Sequence, residues 1–345
     1  MIIGELLIGH LLKMLNVPDD VFPYALLYIR IYLIGMPVIL LYNFEAAIFR
    51  SVGETKIPLQ VLAISGVLNV GLNIFFVLVL KMTVNGVATA TVIANMVSSL
   101  LLFIKLIRTK QVIQIKKEEI TFDRELFLKI MEIGLPAGIQ TAVFAIANIV
   151  IQSAINSLGT IVMAASSAAL NIEICVYDIL NSFSQACTTF VGQNYGAGNL
   201  KRCRKILGLC IIEVAIATAL MILFVILFGK TLLSLFNNDP RVINIGYTRL
   251  LIIFTAYTFS MLYENMSGYL RGFGISLLPA ILTTIGVCGV RIIWISFVFP
   301  LRRTFSTIIL AYPLSLSITA VLIFLALMKY RPSKMQQQIT MIYNS

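Results

Sequence analysis

The stretch Arg50–Pro58, with the sequence RSVGETKIP, decides the fold, because the chain contains a second copy of its pattern. The second copy is Arg271–Pro279, RGFGISLLP, in which the arginine, the central glycine and the proline each recur 221 positions later. Tyr42 and Tyr263 are related by the same offset. Each copy joins two long apolar runs. The repeated unit is therefore a pair of hydrophobic helices with a short polar turn between them.

The composition is typical of a membrane protein. Of the 345 residues, 59% are hydrophobic and 12% are charged, and the mean hydropathy is +0.96. A soluble domain carries about 25% charged residues, and the apolar runs here reach the roughly 20 residues that a membrane-spanning helix needs. The sequence therefore predicts an all-α, polytopic membrane protein.

The formal net charge of +11 could indicate a nucleic-acid-binding protein. The basic residues, however, lie between the apolar runs, where the positive-inside rule expects them. Most of the 26 lysines and arginines fall in segments that we place on one, cytoplasmic side: 50–58, 105–129, 201–205, 271 and the tail 329–334. Both copies of the repeated turn then face the same way, so we interpret the repeat as parallel. No nucleic acid is expected as a partner.

The apolar runs predict one partial and nine complete spans. Residues 1–15 have the sequence of a helix end. The complete spans are expected at about these positions: 22–48, 57–80, 85–107, 126–156, 161–190, 203–228, 240–270, 276–299 and 305–329.

The offset of the repeat also predicts the domain organisation. Residues 123–221 have no counterpart in the first half of the chain. We therefore interpret 1–107 as a partial N-terminal lobe, 108–125 as a cytoplasmic linker, and 126–345 as a six-helix C-terminal lobe with a short tail. This interpretation expects about 100 residues of a complete two-lobe repeat to be missing before the first residue.

Three acidic residues in the predicted spans are candidates for binding a cation or a substrate. An ionisable group inside a span costs about 2.5–3.5 kcal/mol, so it indicates a functional site by default. Glu173 and Asp178 lie near the middle of helix 161–190 and are the first two candidates. Glu264 is the third and weaker candidate, because its only role could be to form an ion pair with Arg271. In a buried carboxylate a proton and a Na⁺ ion can compete for one group.

Structural roles are expected for three further charged residues. Glu45 lies five residues before Arg50, so we interpret it either as a helix-end carboxylate that reaches water or that arginine, or as a functional group. Glu213 and Arg291 lie in very apolar helices, where a structural pair or snorkelling to the membrane surface is expected.

Amide side chains recur along two of the predicted helices. In helix 126–156, Gln140, Asn148 and Gln152 are spaced by eight and four residues, which puts them on one side. Helix 161–190 adds three more amides, namely Asn171, Asn181 and Gln185. Two interpretations stay open: hydrogen bonds between helices, or the lining of a hydrated cavity that binds a substrate or an ion.

The sequence offers no pattern typical of an enzyme. It contains no GxGxxG, P-loop, catalytic triad or HExxH motif. The only histidine is His10, and the five cysteines form no CxxC pair, so packing is the expected role of the cysteines. We therefore expect no metal site and no organic cofactor.

Several motifs together resemble the multidrug and toxic compound extrusion (MATE) family, and in particular its bacterial efflux members of the clostridial type. The most specific is Val191–Gly198, VGQNYGAG, and the resemblance covers nearly the whole chain. The others are Gly35-Met-Pro37 with Tyr42-Asn43, the Arg50–Pro58 turn, and Gly134-Leu-Pro136.

This resemblance implies a fold and a function. Two six-helix lobes would surround a central cleft in the plasma membrane, and Na⁺ or H⁺ would be exchanged for cationic or amphipathic drugs by alternating access. The chain would contain the end of the third helix and helices four to twelve, and we expect it to act as a monomer.

The chain departs from the family's pattern at its cation site. The essential aspartate of the first helix falls outside the chain. By the positions of the motifs, the acidic residues that other members carry on the seventh and tenth helices correspond to Phe144 and Ser260. Glu173 lies on the helix that resembles the eighth, close to where some members carry another acid.

Three functional hypotheses follow. The first is a cation-coupled antiporter that exports drugs. The second is a flippase of the same superfold that moves lipid-linked oligosaccharides. A strongly cationic cleft would favour this hypothesis. The third is a membrane sensor or scaffold that transports nothing.

Overall fold

The structure is a computed structural model, which describes residues 2–14, 20–116, 118 and 121–330. Every regular element in these residues is helical, and nine of their helices are long and apolar enough to cross a membrane. The chain divides into two compact units, Met1–Phe122 and Asp123–Ser345. The tail that the sequence predicts beyond residue 330 lies outside the described residues.

In the part of the chain that the structure describes, the first unit has four helices. These are α1 (Ile2–Met14), α2 (Phe22–Ser51), α3 (Lys56–Ile74), which continues as a π-helical turn over Phe75–Val79, and α4 (Val84–Arg108). Small residues let α4 pack closely against its neighbours, because Ala88, Ala90 and Ala94 are almost completely buried. The hydroxyl of Ser65 on α3 donates to the Ala94 carbonyl at 2.8 Å.

Within the described residues, the second unit has six helices that are long and apolar enough to span a membrane. They comprise α5 (Arg124–Asn156), α6 (Thr160–Gly196), α7 (Leu200–Ser234), α8 (Pro240–Gly272), a composite span over Leu277–Leu301, and α11 (Phe305–Lys329). The composite span begins as α9 (Leu277–Thr283), includes α10 (Val290–Ile293), and has π-helical turns at Thr284–Gly289 and Trp294–Val298 before a final 3₁₀ turn.

The two copies of the repeated turn have the same backbone geometry. Gly53 and Gly274 adopt φ angles of +82° and +81°, a left-handed conformation that favours glycine after a helix end. Each glycine N–H donates at 2.9 Å to the carbonyl of the repeat arginine, Arg50 or Arg271. The sequence repeat is therefore also a repeat of backbone geometry.

All nine predicted spans are present, and the largest differences in their bounds are at the ends of α6 and α7. The sequence predicts that the helix ends near residue 190, whereas α6 continues to Gly196. It ends there because Gly198 is left-handed, with a φ of +71°. Asn199 then caps α7 with its side-chain oxygen. The motif Val191–Gly198 thus forms the last helical turn and the connection to α7.

Apolar clusters identify the two ends of the second unit. One cluster combines Val191, Leu200, Phe273 and Tyr330, so the α6–α7 turn, the end of α8 and the end of α11 lie together. A second cluster combines Leu158, Phe299 and Phe305 at the opposite turns. This grouping agrees with the predicted distribution of basic loops. That the first end faces the cytoplasm stays a prediction.

Helices α6 and α8 approach each other closely at Gly268. A Cβ atom at this glycine would lie 2.6 Å from the Ser184 carbonyl oxygen, far closer than van der Waals contact. The Thr188 hydroxyl donates to the Gly268 carbonyl at 3.0 Å, and the Ser184 hydroxyl donates to the Glu264 carbonyl at 2.7 Å. Such contacts between small residues and hydroxyl groups stabilise helix pairs where the hydrophobic effect between helices is absent.

The expectation that Glu45 reaches water or Arg50 is wrong. The residue is only 2% exposed, and neither carboxylate oxygen has a hydrogen-bond partner among the residues that the structure describes. Its side chain lies on the buried face of α2 with Ala46 and Phe49, which pack against Leu102 and Leu106 of α4. Helix periodicity alone did not reveal that α4 covers this face.

We predict that Gly268→Ala destabilises the second unit. The added methyl group would collide with the Ser184 backbone, and overpacking of this kind typically costs about 1–3 kcal/mol. The thermal unfolding temperature in detergent should fall, while Gly208→Ala, where a Cβ meets nothing within 4 Å, should leave it unchanged. Equal unfolding temperatures of the two variants would contradict the close packing of α6 and α8.

The predicted orientation can be tested by labelling with a membrane-impermeant thiol reagent in a cysteine-free background. Cys203 is unsuitable because it is fully buried. Lys201 and Thr160 are exposed at opposite ends of the second unit. We expect Thr160→Cys to react in intact cells and Lys201→Cys to react only after lysis. The opposite pattern would reverse the orientation.

Candidate functional site

The second unit contains a half-open cavity of about 650 Å³. This volume lies within the range of small-molecule binding sites, roughly 300–1,000 Å³. Helices α5, α6, α8 and α11 and the composite span contribute its walls. The lining residues combine aromatic, amide and charged side chains and include Gln140, Phe144, Asn148, Glu173, Tyr177, Asn181, Gln185, Tyr257, Ser260, Tyr263, Glu264, Arg271, Arg291 and Tyr312.

Glu173 lies in this cavity wall and forms a buried, two-point ion pair. Arg249 on α8 donates from Nε to Glu173 Oε1 at 2.6 Å and from Nη2 to Oε2 at 2.9 Å. Its remaining terminal nitrogen donates to the hydroxyl of Ser166. Both charged side chains are less than 5% exposed. The charge of Glu173 is therefore balanced by a protein group.

Glu264 is held more loosely than Glu173. Its Oε1 accepts a hydrogen bond from the Tyr177 hydroxyl at 3.2 Å, and its Oε2 lies 3.7 Å from Arg271 Nη2. The same arginine nitrogen donates to the Ser184 hydroxyl at 3.0 Å. As predicted, Glu264 and Arg271 interact, but the carboxylate also faces the cavity.

Arg291 is the third arginine of this region and, like Arg249, it is buried. Its Nε donates to the Ser315 hydroxyl at 3.0 Å, and its guanidinium carbon lies 4.1 Å from the centroid of the Tyr312 ring. It forms no ion pair with a carboxylate among the described residues, and only 7% of it is exposed. The predicted pair with Glu213 does not form. That side chain is exposed on the surface of α7, because the rotation of α7 turns it away from the unit.

The amide side chains divide between the two interpretations that the sequence left open. Gln140 fits both interpretations, because it lines the cavity and also forms a hydrogen bond between helices by donating to the Thr283 hydroxyl at 2.6 Å. Asn148 and Asn181 line the cavity. Asn171 is exposed and donates to the Ser167 carbonyl within its own helix.

Two further predicted residues lie away from the cavity lining. Asp178 is exposed on α6, next to Tyr177, and Gln152 donates to Asn156 within α5. The spacing of five residues between Glu173 and Asp178 places them on different faces of the helix, as expected from about 3.6 residues per turn.

Aromatic residues are the part of this site that sequence reasoning missed. Tyr177, Tyr257, Tyr263 and Tyr312 all line the cavity, and they come from three different helices. The repeat marks Tyr263 as the counterpart of Tyr42, but the other three stand in no motif, and aromatic residues are frequent throughout the chain. Phe144, which the motif positions lead us to expect in place of a family acid, lines the same cavity.

The ion pair between Glu173 and Arg249 predicts a strong asymmetry between single and double variants. Arg249→Met would leave a buried carboxylate unpaired, which typically costs about 3–5 kcal/mol, whereas removing both charges can be nearly neutral. Arg249→Met should therefore lower the thermal unfolding temperature, and adding Glu173→Leu should restore most of it. Arg241→Met, which breaks an exposed pair with Asp239, should have little effect. Equal losses in the single and double variants would contradict the pairing.

Known proteins resemble this chain in sequence. The family model MatE matches residues 1–75 and 136–295. The probable multidrug resistance protein YoeA of Bacillus subtilis is 25% identical over 298 residues, which are 84% of this chain and 64% of that protein. The probable multidrug resistance protein YpnP of the same organism is 28% identical, with the same coverage. The chain thus spans about 64% of the length of these relatives.

The fold is similar to that of solved membrane transporters. A structure described as the outward-facing conformation of a multidrug resistance MATE family transporter matches 97% of this chain and 74% of its own, with a TM-score of 0.84 and 19% identity. A MATE structure in complex with MaL6 matches 98% of this chain and 76% of its own, with a TM-score of 0.86 and 18% identity. With the family model matched over most of the chain, this multi-pass plasma-membrane protein belongs to the MatE family, whose members are transporters and not enzymes.

Proposed function

We propose that this chain exports small amphipathic molecules by cation-coupled antiport with alternating access. The observation that carries the proposal is the cavity in the second unit, which places a buried carboxylate beside aromatic walls within membrane-spanning helices. The relatives named as probable multidrug resistance proteins support export of small molecules. The coupling ion is Na⁺ or H⁺, and neither an organic cofactor nor a second copy of the chain is required.

Glu264 is the best candidate for the coupling carboxylate. The sequence ranks Glu173 first, but a cation that binds Glu173 must displace Arg249, which contacts both of its oxygens. Glu264 has longer contacts, at 3.2 and 3.7 Å, so an arriving ion displaces less. When a proton or Na⁺ neutralises this carboxylate, Arg271 and Tyr177 lose their partner. The contacts between α6 and α8 then change with the state of the ion.

The remaining predicted residues have supporting roles in this proposal. Gln140, Asn148 and Asn181 offer neutral hydrogen-bonding groups to a substrate inside the cavity. Asp178 and Asn171 are exposed on α6 outside the cavity lining, and the negative charge of Asp178 can attract cations to this helix. The oligosaccharide flippase is the weaker candidate, because two of the three arginines around the cavity lie beside glutamates and the region is not strongly cationic.

Transport by charge variants tests the proposal. Everted membrane vesicles from cells that carry the gene for this chain would be loaded with a fluorescent amphipathic dye under an imposed proton or Na⁺ gradient. We expect Glu264→Gln to abolish gradient-driven dye transport, because the amide keeps the shape of the side chain and cannot titrate or bind the cation. Binding of the dye without a gradient should persist.

A matched control comes from the same membrane region. Glu213→Gln removes an exposed carboxylate outside the cavity and should leave transport unchanged. Glu173→Gln should mainly reduce the amount of folded protein, since it leaves Arg249 without its carboxylate. Normal coupled transport by Glu264→Gln would exclude this residue, and loss of coupling only in folded Glu173→Gln would restore Glu173 as the coupling site. No gradient-driven transport in the unaltered protein would contradict the antiporter.

A further inference from the structure

The charges around the cavity leave one arginine without a partner. Glu173 is paired with Arg249, and Glu264 lies beside Arg271. Arg291 lines the same cavity, but none of the described carboxylates lies within ion-pair distance of it. Three arginines thus face two glutamates, and the excess positive charge is located at Arg291.

The geometry of Arg291 leaves its recognition groups available. Only Nε is used within the protein, in the hydrogen bond to Ser315, and the two terminal amino groups have no acceptor among the described residues. The guanidinium carbon also lies 4.1 Å from the centroid of the Tyr312 ring, which is a cation–π contact. A guanidinium whose two terminal amino groups are free can bind a carboxylate or phosphate by two parallel hydrogen bonds.

A buried arginine without an anion is unfavourable inside a membrane protein. Charged groups in membrane spans almost always pair with one another or face an aqueous cavity, and they indicate substrate pathways. The charged elements packed against α10 are α5, which carries Arg124, Glu125, Lys129 and Glu132, and α11, which carries Lys329. None of these neutralises it directly. An anionic ligand is the group that would.

The surroundings define the rest of such a ligand. Tyr312 and Tyr257 lie beside Arg291 in the cavity wall, and Phe144 lines the same space. These rings offer flat apolar surfaces, to which an aromatic or fused-ring body can pack. A volume of about 650 Å³ accommodates a molecule of this kind.

We propose that the cavity of the second unit binds amphipathic organic anions, whose carboxylate or phosphate pairs with Arg291 while their apolar body packs on Tyr257, Tyr312 and Phe144. The inference deepens the proposed export function, because it takes this cavity as the substrate site and names the class of substrate.

Equilibrium dialysis with two probes of opposite charge tests the inference. The full chain, in nanodiscs of phosphatidylcholine, is titrated with 1-naphthoate and with 1-naphthylmethylammonium, and empty nanodiscs correct for partition into lipid. We expect naphthoate to bind about tenfold or more tightly than the ammonium probe, which corresponds to one charge-assisted contact. Arg291→Gln should remove this preference.

Two further variants keep the result interpretable. Arg291→Lys keeps the charge but loses the planar fork, so it should give intermediate naphthoate affinity. If Arg291→Gln does not fold, the test rests on Arg291→Lys. An unchanged affinity for naphthoate in folded Arg291→Lys would overturn the proposal. Arg302 is an exposed arginine outside the cavity, so the variant Arg302→Gln should bind naphthoate as tightly as the unaltered protein does. Tighter binding of the ammonium probe, or a preference that survives Arg291→Gln, would also overturn it.

The origin of the anion is distinguished by lipid composition. If nanodiscs that contain phosphatidylglycerol abolish naphthoate binding, a lipid headgroup occupies Arg291 and the assignment to small-molecule substrates is wrong. Binding is measured without any gradient, so it is independent of transport. Coupled dye transport without an anion preference would overturn this inference alone, and an Arg291-dependent preference without transport would overturn the export function alone.

Discussion

The need to neutralise charges inside a membrane determines much of the second unit. Each ionised side chain in a span needs a partner or access to water, since its insertion costs about 2.5–3.5 kcal/mol when it has neither. Arg249 meets this need by donating to both oxygens of Glu173 and to Ser166. The pair links α6 to α8, and α8 also carries Glu264 and Arg271, about four and six turns further along the helix. Charge pairing therefore fixes how these helices face each other.

Close backbone packing makes these pairs possible. Gly268 lets α8 approach Ser184 on α6 so closely that no side chain fits between them. At this distance Ser184 both donates to the Glu264 carbonyl and accepts from Arg271. The hydroxyl thus connects the backbone of α8 to the charged pair in the cavity wall. A substitution at the glycine is expected to disturb the carboxylate that the proposed coupling depends on.

Two kinds of charge coexist in the cavity wall. The pair of Glu173 and Arg249 is short and saturated, which suits a structural role. Glu264 and Arg291 are incompletely satisfied, and both face the cavity. A ligand can neutralise a charged group whose protein partner is missing or distant. For this reason we assign the cation to Glu264 and an anion to Arg291.

The sequence by itself determined the membrane class, the nine spans and the duplicated turn. Hydrophobic runs and glycine at a helix end are local signals, and Gly53 and Gly274 show that a shared spacing gave a shared left-handed turn. It also identified Glu173 and Glu264 as exceptional, because a charge in an apolar run is visible without a structure. The tertiary structure decided which helix faces meet. It paired Arg249 with Glu173, buried Glu45 under α4, and placed four tyrosines in one cavity with Arg291. These arrangements depend on helix rotation and on contacts between distant residues, which no local pattern encodes.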